Sequence, residues 1–304
     1  MILLIDGDVL AYNSCRSRFR NSKGQTVVRL EGRPLPTDFS PEDDREYMEE
    51  SWENFKRKLE ELVEKCYADT YLMAVKHERN FRDVIYPGYK QNRSKPVELQ
   101  NQFVPALRQL AVLEGLAIPS RGREADDLLR IWATEARLYG NDYMIASIDK
   151  DLQCIPGKHF NLKTNQITEV SEFDATRFFY SQLLSGDPTD NIPGLPKIGP
   201  VKAERLLSDC ISEGAMQEVV VSEYINAFGS EWYSFLLSNG KLLYLQQHYD
   251  DYFQCSHWGC ARLMLSQRDW VAEGIKQGLV TVSPSPKPSP SPKPSPSPKP
   301  SPKP

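Results

Sequence analysis

ILLIDGD, residues 2–8, is an apolar run that ends abruptly in carboxylates. An unbroken Ile/Leu stretch reads as a strand buried on both faces, here residues 2–6, and such strands belong to parallel sheets sandwiched between helices. DTYLMAV (69–75) and YMIASID (143–149) have the same character, and LAIPS (116–120) is a shorter strand candidate. Helical patterns lie between them. Residues 42–66 place Trp52, Phe55, Leu59, Leu62 and Val63 at helical spacing, and EADDLLRIWATEARLYG (124–140) stops at Gly140, a residue suited to a left-handed helix end. Strands alternating with helices predict an α/β fold with a parallel sheet.

Beyond residue 172 the pattern turns helical, through FDATRFFYSQLLS (173–185), VKAERLLSD (201–209) and further apolar-periodic segments. The expected organisation is a sheet-based core at 1–172, a smaller helical domain at 173–282, and a tail at 283–304. The tail repeats SPSPKP and closes on SPKP, so alternating proline predicts an extended, disordered segment.

Composition narrows the classes. No stretch approaches the ~20 apolar residues of a membrane span, and Asp6 and Asp8 interrupt the opening apolar run before it could serve as a signal peptide. The formal net charge of −4 argues against a generally basic nucleic-acid binder. Charge is unevenly spread, however: residues 76–95 hold six Lys/Arg against two acids, and residues 42–64 hold ten acids against four Lys/Arg. Six scattered cysteines read as reduced thiols in a cytosolic setting. Cys255, His257 and Cys260 amount to half a zinc site at most.

The carboxylates carry the chemistry. In open α/β sheets, ligands bind outside the carboxyl ends of the strands. Asp6 ends the first strand, Glu124, Asp126 and Asp127 follow the third, and Asp149 and Asp151 follow the fourth. Glu124 and Asp127 are one helical turn apart, on one face. Asp187 and Asp190 sit in the turn GDPTDN (186–191) and can face the same edge. Acids gathered this way repel unless cations neutralise them, and hard oxygen ligands select Mg²⁺ or Mn²⁺. Two such ions can activate water and stabilise the leaving oxygen of a phosphodiester.

Beside the acids lies YPGYKQNRSKP (86–96), where Lys90 and Arg93 suit a phosphate and Tyr89 offers a ring for base stacking. GLPKIGPVKAERLL (194–207) frames a tight hairpin that opens into a helix. Glycine permits close ligand approach, and free N–H groups at a helix start bind phosphate. Gly194, Lys197, Ile198, Gly199 and Lys202 are the candidate DNA contacts of this helix–hairpin–helix pattern.

In this order, DGD (6–8), YKQNR (89–93), EADD (124–127), SIDKD (147–151) and GDPTDNIPGLPKIGPVKAERLL (186–207) resemble the 5′-nuclease superfamily. That superfamily includes phage 5′–3′ exonucleases, the 5′-nuclease domain of bacterial DNA polymerase I, and flap endonucleases. The resemblance covers roughly residues 1–210. It implies a PIN-like nuclease core followed by a helix–three-turn–helix region. It also implies a two-metal 5′–3′ exonuclease or flap endonuclease acting in replication or primer removal. Asp6, Glu124, Asp126 and Asp127 would serve one Mg²⁺, and Asp149, Asp151, Asp187 and Asp190 the other. Lys90 and Arg93 would be electrostatic catalysts, Tyr89 a stacking aromatic, and the hairpin a duplex grip holding a monovalent cation such as K⁺. The implied partner is duplex DNA with a 5′ end, flap or nick, or an RNA–DNA hybrid, bound by a monomer with no membrane attachment.

This chain departs from the family at the end of its second strand. His77 stands where an aspartate ligand is usual, and either it accepts metal or Glu78 and the remaining acids complete the site. Only 31 residues separate Asn92 from Glu124, with Pro105 dividing them, which resembles the short arch of polymerase-attached nucleases. Two other readings compete. LLIDGDVL also fits the Asp-x-Asp motif of a haloacid dehalogenase-type phosphatase, although FFYSQLLS before Gly186 reads as helix where that class needs a strand. A non-catalytic DNA clamp would keep the hairpin, with the acids reduced to structural metal binding.

Overall fold

The computed structural model describes residues 1–15, 18–20, 26–28, 41–77, 79–93, 99–256 and 258. Glu78, His257, Cys260, the helical patterns beyond 258 and the tail at 283–304 lie outside them. Residues Met1–Trp258 form one compact unit. In chain order its elements begin β1 (Ile2–Asp6), α1 (Gly7–Ser14), β2 (Arg18–Arg20), β3 (Thr26–Val28), α2 (Pro41–Lys65) and β4 (Thr70–Val75). They continue with α3 (Phe81–Ile85), α4 (Leu99–Leu113), β5 (Ile118–Pro119), α5 (Ala125–Leu138), β6 (Tyr143–Ser147), β7 (Gly157–Asn161) and β8 (Ile167–Val170). The last are α6 (Glu172–Ser185), β9 (Gly186–Asp187), β10 (Ile192–Pro193), α7 (Pro200–Leu207), α8 (Glu213–Phe228) and α9 (Trp232–Leu243).

The main sheet runs β5-β4-β1-β6-β7-β8. β1 lies between β4 and β6 and is parallel to both, with Leu4 opposite Leu72 on one side and Ile145 on the other. Alternation along β1 divides its side chains between two cores. Leu3 and Ile5 pack with Tyr47, Phe55 and Leu59 of α2 and Leu107 of α4. Leu4 packs with Leu128, Leu129 and Trp132 of α5. Leu3, Leu4 and Ile5 are all fully buried, which is why the strand carries no polar residue until its carboxyl end.

The sheet differs from the expected one in a specific way. It is mixed: β7 continues the parallel set, and β8 returns antiparallel along the edge. GKHFN and ITEV escaped the sequence reading because only Phe160 of β7 reaches the core, and β8 buries nothing fully. An edge hairpin with so little buried surface has no apolar period to read. The third strand shrinks from 116–120 to β5, Ile118–Pro119. Pro105 does not divide its segment, since α4 runs through it from Leu99 to Leu113. The expected helix at 42–66 is α2, with Tyr47, Ser51, Phe55, Leu59 and Leu62 buried along one face.

Chain order creates the crevice. From β1 the chain moves to β4 and then β5 on one side, and α5 carries it back to β6 on the other side of β1. The reversal falls between β1 and β6, the place where open sheets bind ligands.

Candidate active site

Asp6 stands at the carboxyl end of β1, buried at 5% exposure. Its Oδ1 accepts the N–H groups of Asp8 and Val9 and so caps α1. Gly7 has to be glycine: a Cβ there would lie 2.6 Å from Val75 Cγ1 and 2.7 Å from the Ala74 carbonyl oxygen. Across the crevice, Ser147 Oγ donates to Asp6 Oδ2 at 2.7 Å and accepts the Asp149 N–H at 3.0 Å. This buried serine ties the two strand ends together. The sequence reading passed over it, and only its place inside SIDKD could have drawn attention to it.

Asp149 in turn accepts the Asp151 N–H at 2.9 Å, starting a short 3-10 turn at Lys150–Cys154. Asp151 Oδ1 accepts from Gln182 Nε2 of α6 at 2.8 Å. A second tight connection brings in the GDPTDN acids. Gly186 and Gly194 pack backbone on backbone, and a Cβ on Gly194 would sit 2.1 Å from the Ser185 carbonyl. The turn between them buries Asp187 and Asp190 at 2% and 7% exposure. Glu124, Asp126, Asp151, Asp187 and Asp190 line one small cavity of about 30 Å³.

These acids fall into two electrostatic groups. Asp6, Asp126 and Asp151 lack enough nearby positive charge. Burial, followed by the repulsion of Asp8, pushes the Asp6 carboxyl up to about 7. Burial and then Asp149 push Asp151 up to about 7 as well. Asp126 is raised well above the carboxylate range by burial and then by Asp6 and Asp149.

Glu124 and Asp190 are instead held by the basic loop. Lys90 Nζ bonds Glu124 Oε1 and lies 3.4 Å from Asp190 Oδ2, and Arg93 pairs with Asp190 Oδ1. Burial alone would raise Glu124, but Arg82 and Lys90 outweigh it and hold its carboxyl below the usual range. Lys90 has a left-handed backbone (φ 55°), fixed by its N–H to the Asp190 carbonyl at 2.9 Å. Lys90 and Arg93 therefore sit among the acids as internal counter-ions.

Two expected roles do not survive this geometry. Tyr89 is not a free stacking ring: it is buried at 5% exposure, and its hydroxyl donates within the pair Glu124 Oε2 (2.9 Å) and Asp190 Oδ2 (3.1 Å). Asp127 turns away from the other acids. It is fully buried and makes a bidentate pair with the fully buried Arg82, at 2.6 and 2.9 Å. Asp127 also accepts the N–H groups of Glu124 (2.9 Å) and Gln246 (3.1 Å). Glu124 and Asp127 form the capping box of α5, so the one-turn spacing that suggested a shared ligand face marks a helix start. Arg82, which the sequence reading did not single out, completes the lock with bonds to the Leu242 and Tyr244 carbonyls.

His77 is exposed, and its N–H donates to Ser120 Oγ at 3.3 Å. It lines a second cavity at the carboxyl ends of β4 and β5, whose lining shares no residue with the cavity of the acids. In the hairpin, Ile198 and Leu195 are buried anchors, Lys197 (φ 63°) and Lys202 are exposed, and a Cβ on Gly199 would meet nothing within 4 Å. Ile198 therefore holds the hairpin with its side chain, and Gly199 and the lysines present its open surface. Of the cysteine set considered for zinc, Cys255 is a free buried thiol.

Among the described residues, no three His, Cys, Asp or Glu side chains already converge as a closed ligand set. What suits a hard cation here is the donor chemistry: clustered, buried carboxylates whose mutual repulsion raises Asp6, Asp126 and Asp151.

Comparison with known proteins agrees with this architecture. Residues 42–180 match the family described as 5′-3′ exonuclease, N-terminal resolvase-like domain. A DNA polymerase I of Rhizobium leguminosarum is 36% identical over 43% of this chain and 14% of its own length. A 5′-3′ exonuclease of Buchnera aphidicola (subsp. Schizaphis graminum) is 29% identical over 46% of this chain and 53% of its own. The chain thus spans about half of that exonuclease and a far smaller part of the polymerase. The T5 D15 protein co-crystallised with metal ions shares the fold, with a TM-score of 0.56 over 81% of this chain and 89% of that one, at 16% identity.

Proposed function

From the chain's likeness over residues 42–180 to the N-terminal resolvase-like domain of 5′-3′ exonucleases, we propose that it is a metal-dependent 5′–3′ nuclease. It hydrolyses DNA phosphodiesters as an exonuclease or flap endonuclease. The observation that carries this reading is the group of buried, mutually repelling carboxylates at the β1/β6 crevice, flanked by Lys90 and Arg93.

Asp6, Asp126 and Glu124 would hold one Mg²⁺ or Mn²⁺, and Asp149, Asp151, Asp187 and Asp190 a second. Held there, such ions would supply charge neutralisation and activate a water, by easing loss of its proton, for attack on phosphorus. The protein's own residues do the rest. Ser147 fixes the direction of Asp6, and Gln182 that of Asp151. Lys90 and Arg93 pair with acids that a metal would also engage, and are then placed to meet the charge that builds on the phosphoryl oxygens. Tyr89 acts as a positioning residue, its hydroxyl spacing Glu124 from Asp190.

The division into a nuclease core at 1–172 and a helical DNA-binding region at 173–282 belongs to this proposal. So do the hairpin grip through Gly199, Lys197 and Lys202, a K⁺ ion at its open backbone, a monomeric state, and an RNA–DNA hybrid as a second substrate. A cytoplasmic setting fits the free cysteines among the described residues. The phosphatase alternative loses ground because GDPTDN follows helix α6 instead of a core strand. Asp8, moreover, is engaged by Arg108 and the Lys76 N–H.

The test digests 5′-labelled flap, nicked and blunt duplexes in Mg²⁺ and in EDTA, comparing the wild type with Asp149→Asn. Metal-dependent release of 5′ products that the substitution abolishes supports the reading. Turnover of p-nitrophenyl phosphate without DNA cleavage refutes it.

A further inference from the structure

At the carboxyl ends of β4 and β5, next to the acids but on the far side of β1 from β6, lies a second cavity of about 330 Å³. Lys76 and His77 follow β4, Arg121 follows β5, and Arg108 reaches in from α4. Val75, Pro105, Val112 and Pro119 give it an apolar wall. Among the described residues, no Asp or Glu lines it. The nearest acid in the chain's bonding pattern, Asp8, is already engaged: its Oδ1 accepts the Lys76 N–H at 3.0 Å and lies 2.7 Å from Arg108 Nε. Among the described residues, the side chains of Lys76 and Arg121 have no ion pair, and both are exposed.

Lys76, His77, Arg108 and Arg121 gathered at one hollow make it a place that draws an anion. Cations gathered against an apolar wall repel one another, and an anion there interacts in a weaker dielectric than in bulk water. Within the nuclease reading, on which this inference rests, the one ligand that must lie across both places is the DNA strand being cut. We propose that the β4/β5 cavity is a phosphate site for that strand, with Arg121 and Lys76 as its principal contacts and Arg108 held ready by Asp8. An exposed guanidinium suits a phosphate bidentately, through the paired N–H groups along one edge. The shared chemistry is phosphate, from either of two sources: a terminal 5′-monoester, which as a dianion gains more, or an internal diester beyond the scissile bond. Arg121 and Lys76 are positioning residues, so their loss weakens binding and raises KM while kcat is retained.

The experiment uses the full chain and a 5′-overhang duplex ending in either a 5′-phosphate or a 5′-hydroxyl. Fluorescence anisotropy in EDTA compares the wild type with the double variant Arg121→Gln/Lys76→Gln and with Arg121→Glu. If the terminal phosphate is the ligand, the double variant weakens binding of the phosphorylated duplex by about tenfold, the size of one lost charge-assisted contact. Binding of the hydroxyl duplex then stays as in the wild type. If an internal phosphate is the ligand, both duplexes weaken alike, and the slope of log affinity against log salt falls by roughly one per cation removed. Arg121→Glu weakens binding further in either case. Unchanged affinities and an unchanged salt slope in all variants overturn the site. So does a fall in kcat with KM untouched, because the residues would then act in the chemistry. Cleavage in Mg²⁺ is measured separately. A wild type that binds phosphate through this cavity but cuts nothing would sink the nuclease reading and leave the site standing.

Discussion

Asp127→Asn separates a structural acid from a metal-binding one. Asp127 and Arg82 are both fully buried and joined at 2.6 and 2.9 Å, so the amide leaves the guanidinium charged with no countercharge in contact. Breaking a buried pair from one side costs about 3–5 kcal/mol. Two features set where in that range this pair falls. Arg82 keeps its bonds to the Leu242 and Tyr244 carbonyls, at 2.8 and 2.7 Å, which lowers the cost. The N–H groups of Glu124 and Gln246, however, now share a single amide oxygen, adding about 1 kcal/mol. At roughly 2–4 °C per kcal/mol for a unit of this size, the melting temperature should fall by about 6–20 °C. Thermal unfolding followed by circular dichroism gives that number. A Mg²⁺ titration of cleavage, run well below the new melting temperature, gives the other, which should stay at the wild-type half-saturation. An apolar pair, Arg82→Met with Asp127→Leu, should recover part of the lost stability but not all, because the two backbone N–H groups stay without an acceptor. A melting temperature that holds or rises while the Mg²⁺ requirement climbs severalfold would show Asp127 to be a metal ligand and refute the reasoning.

Lys90→Ala should lower the cleavage rate by at least ~10²-fold with duplex binding little changed, since its charge acts on the transition state; single-turnover rates and anisotropy separate the two, and an equal loss in binding alone would make the loop a mere tether. Gly199→Val should weaken binding of a long duplex without disturbing the fold, because its Cβ has open space on the protein side and obstructs only what approaches from outside. Melting temperature and anisotropy together decide it, unchanged binding being fatal to the hairpin grip. The raised carboxyls of Asp6 and Asp151, both near 7, mean that the folded protein holds protons the unfolded chain has released. Stability without metal should therefore fall as pH rises from the ordinary carboxylate range through 7, and Mg²⁺ should raise the melting temperature more at pH ~8 than at pH ~5.5. Melting curves in EDTA that stay level or rise over that range would contradict the assignment of these acids as unneutralised.

The sequence by itself determined where the buried core strands β1, β4 and β6 lie and at which edge the acids gather. Leu3, Leu4 and Ile5 could only be a strand buried on both faces, and an acid directly after such a run sits at its carboxyl end by covalent necessity. The places of Asp6, Asp149 and Asp151 at strand ends were legible for that reason, as was the turn GDPTDN, whereas the backbone packing of Gly186 against Gly194 was not. Direction was not legible. A helix start places Glu124, Asp126 and Asp127 within one turn of one another, but packing alone decides which of them faces the crevice. That decision was made by Arg82, remote in sequence and fully buried, which needs a carboxylate within the core and takes Asp127. Tyr89 went inward for a related reason, because its hydroxyl found Glu124 and Asp190 from distant segments. The β7/β8 edge hairpin and the basic cavity between β4, β5 and α4 likewise emerge only in three dimensions. One has too little buried surface to leave a period, and the other is built from cations that no local spacing connects.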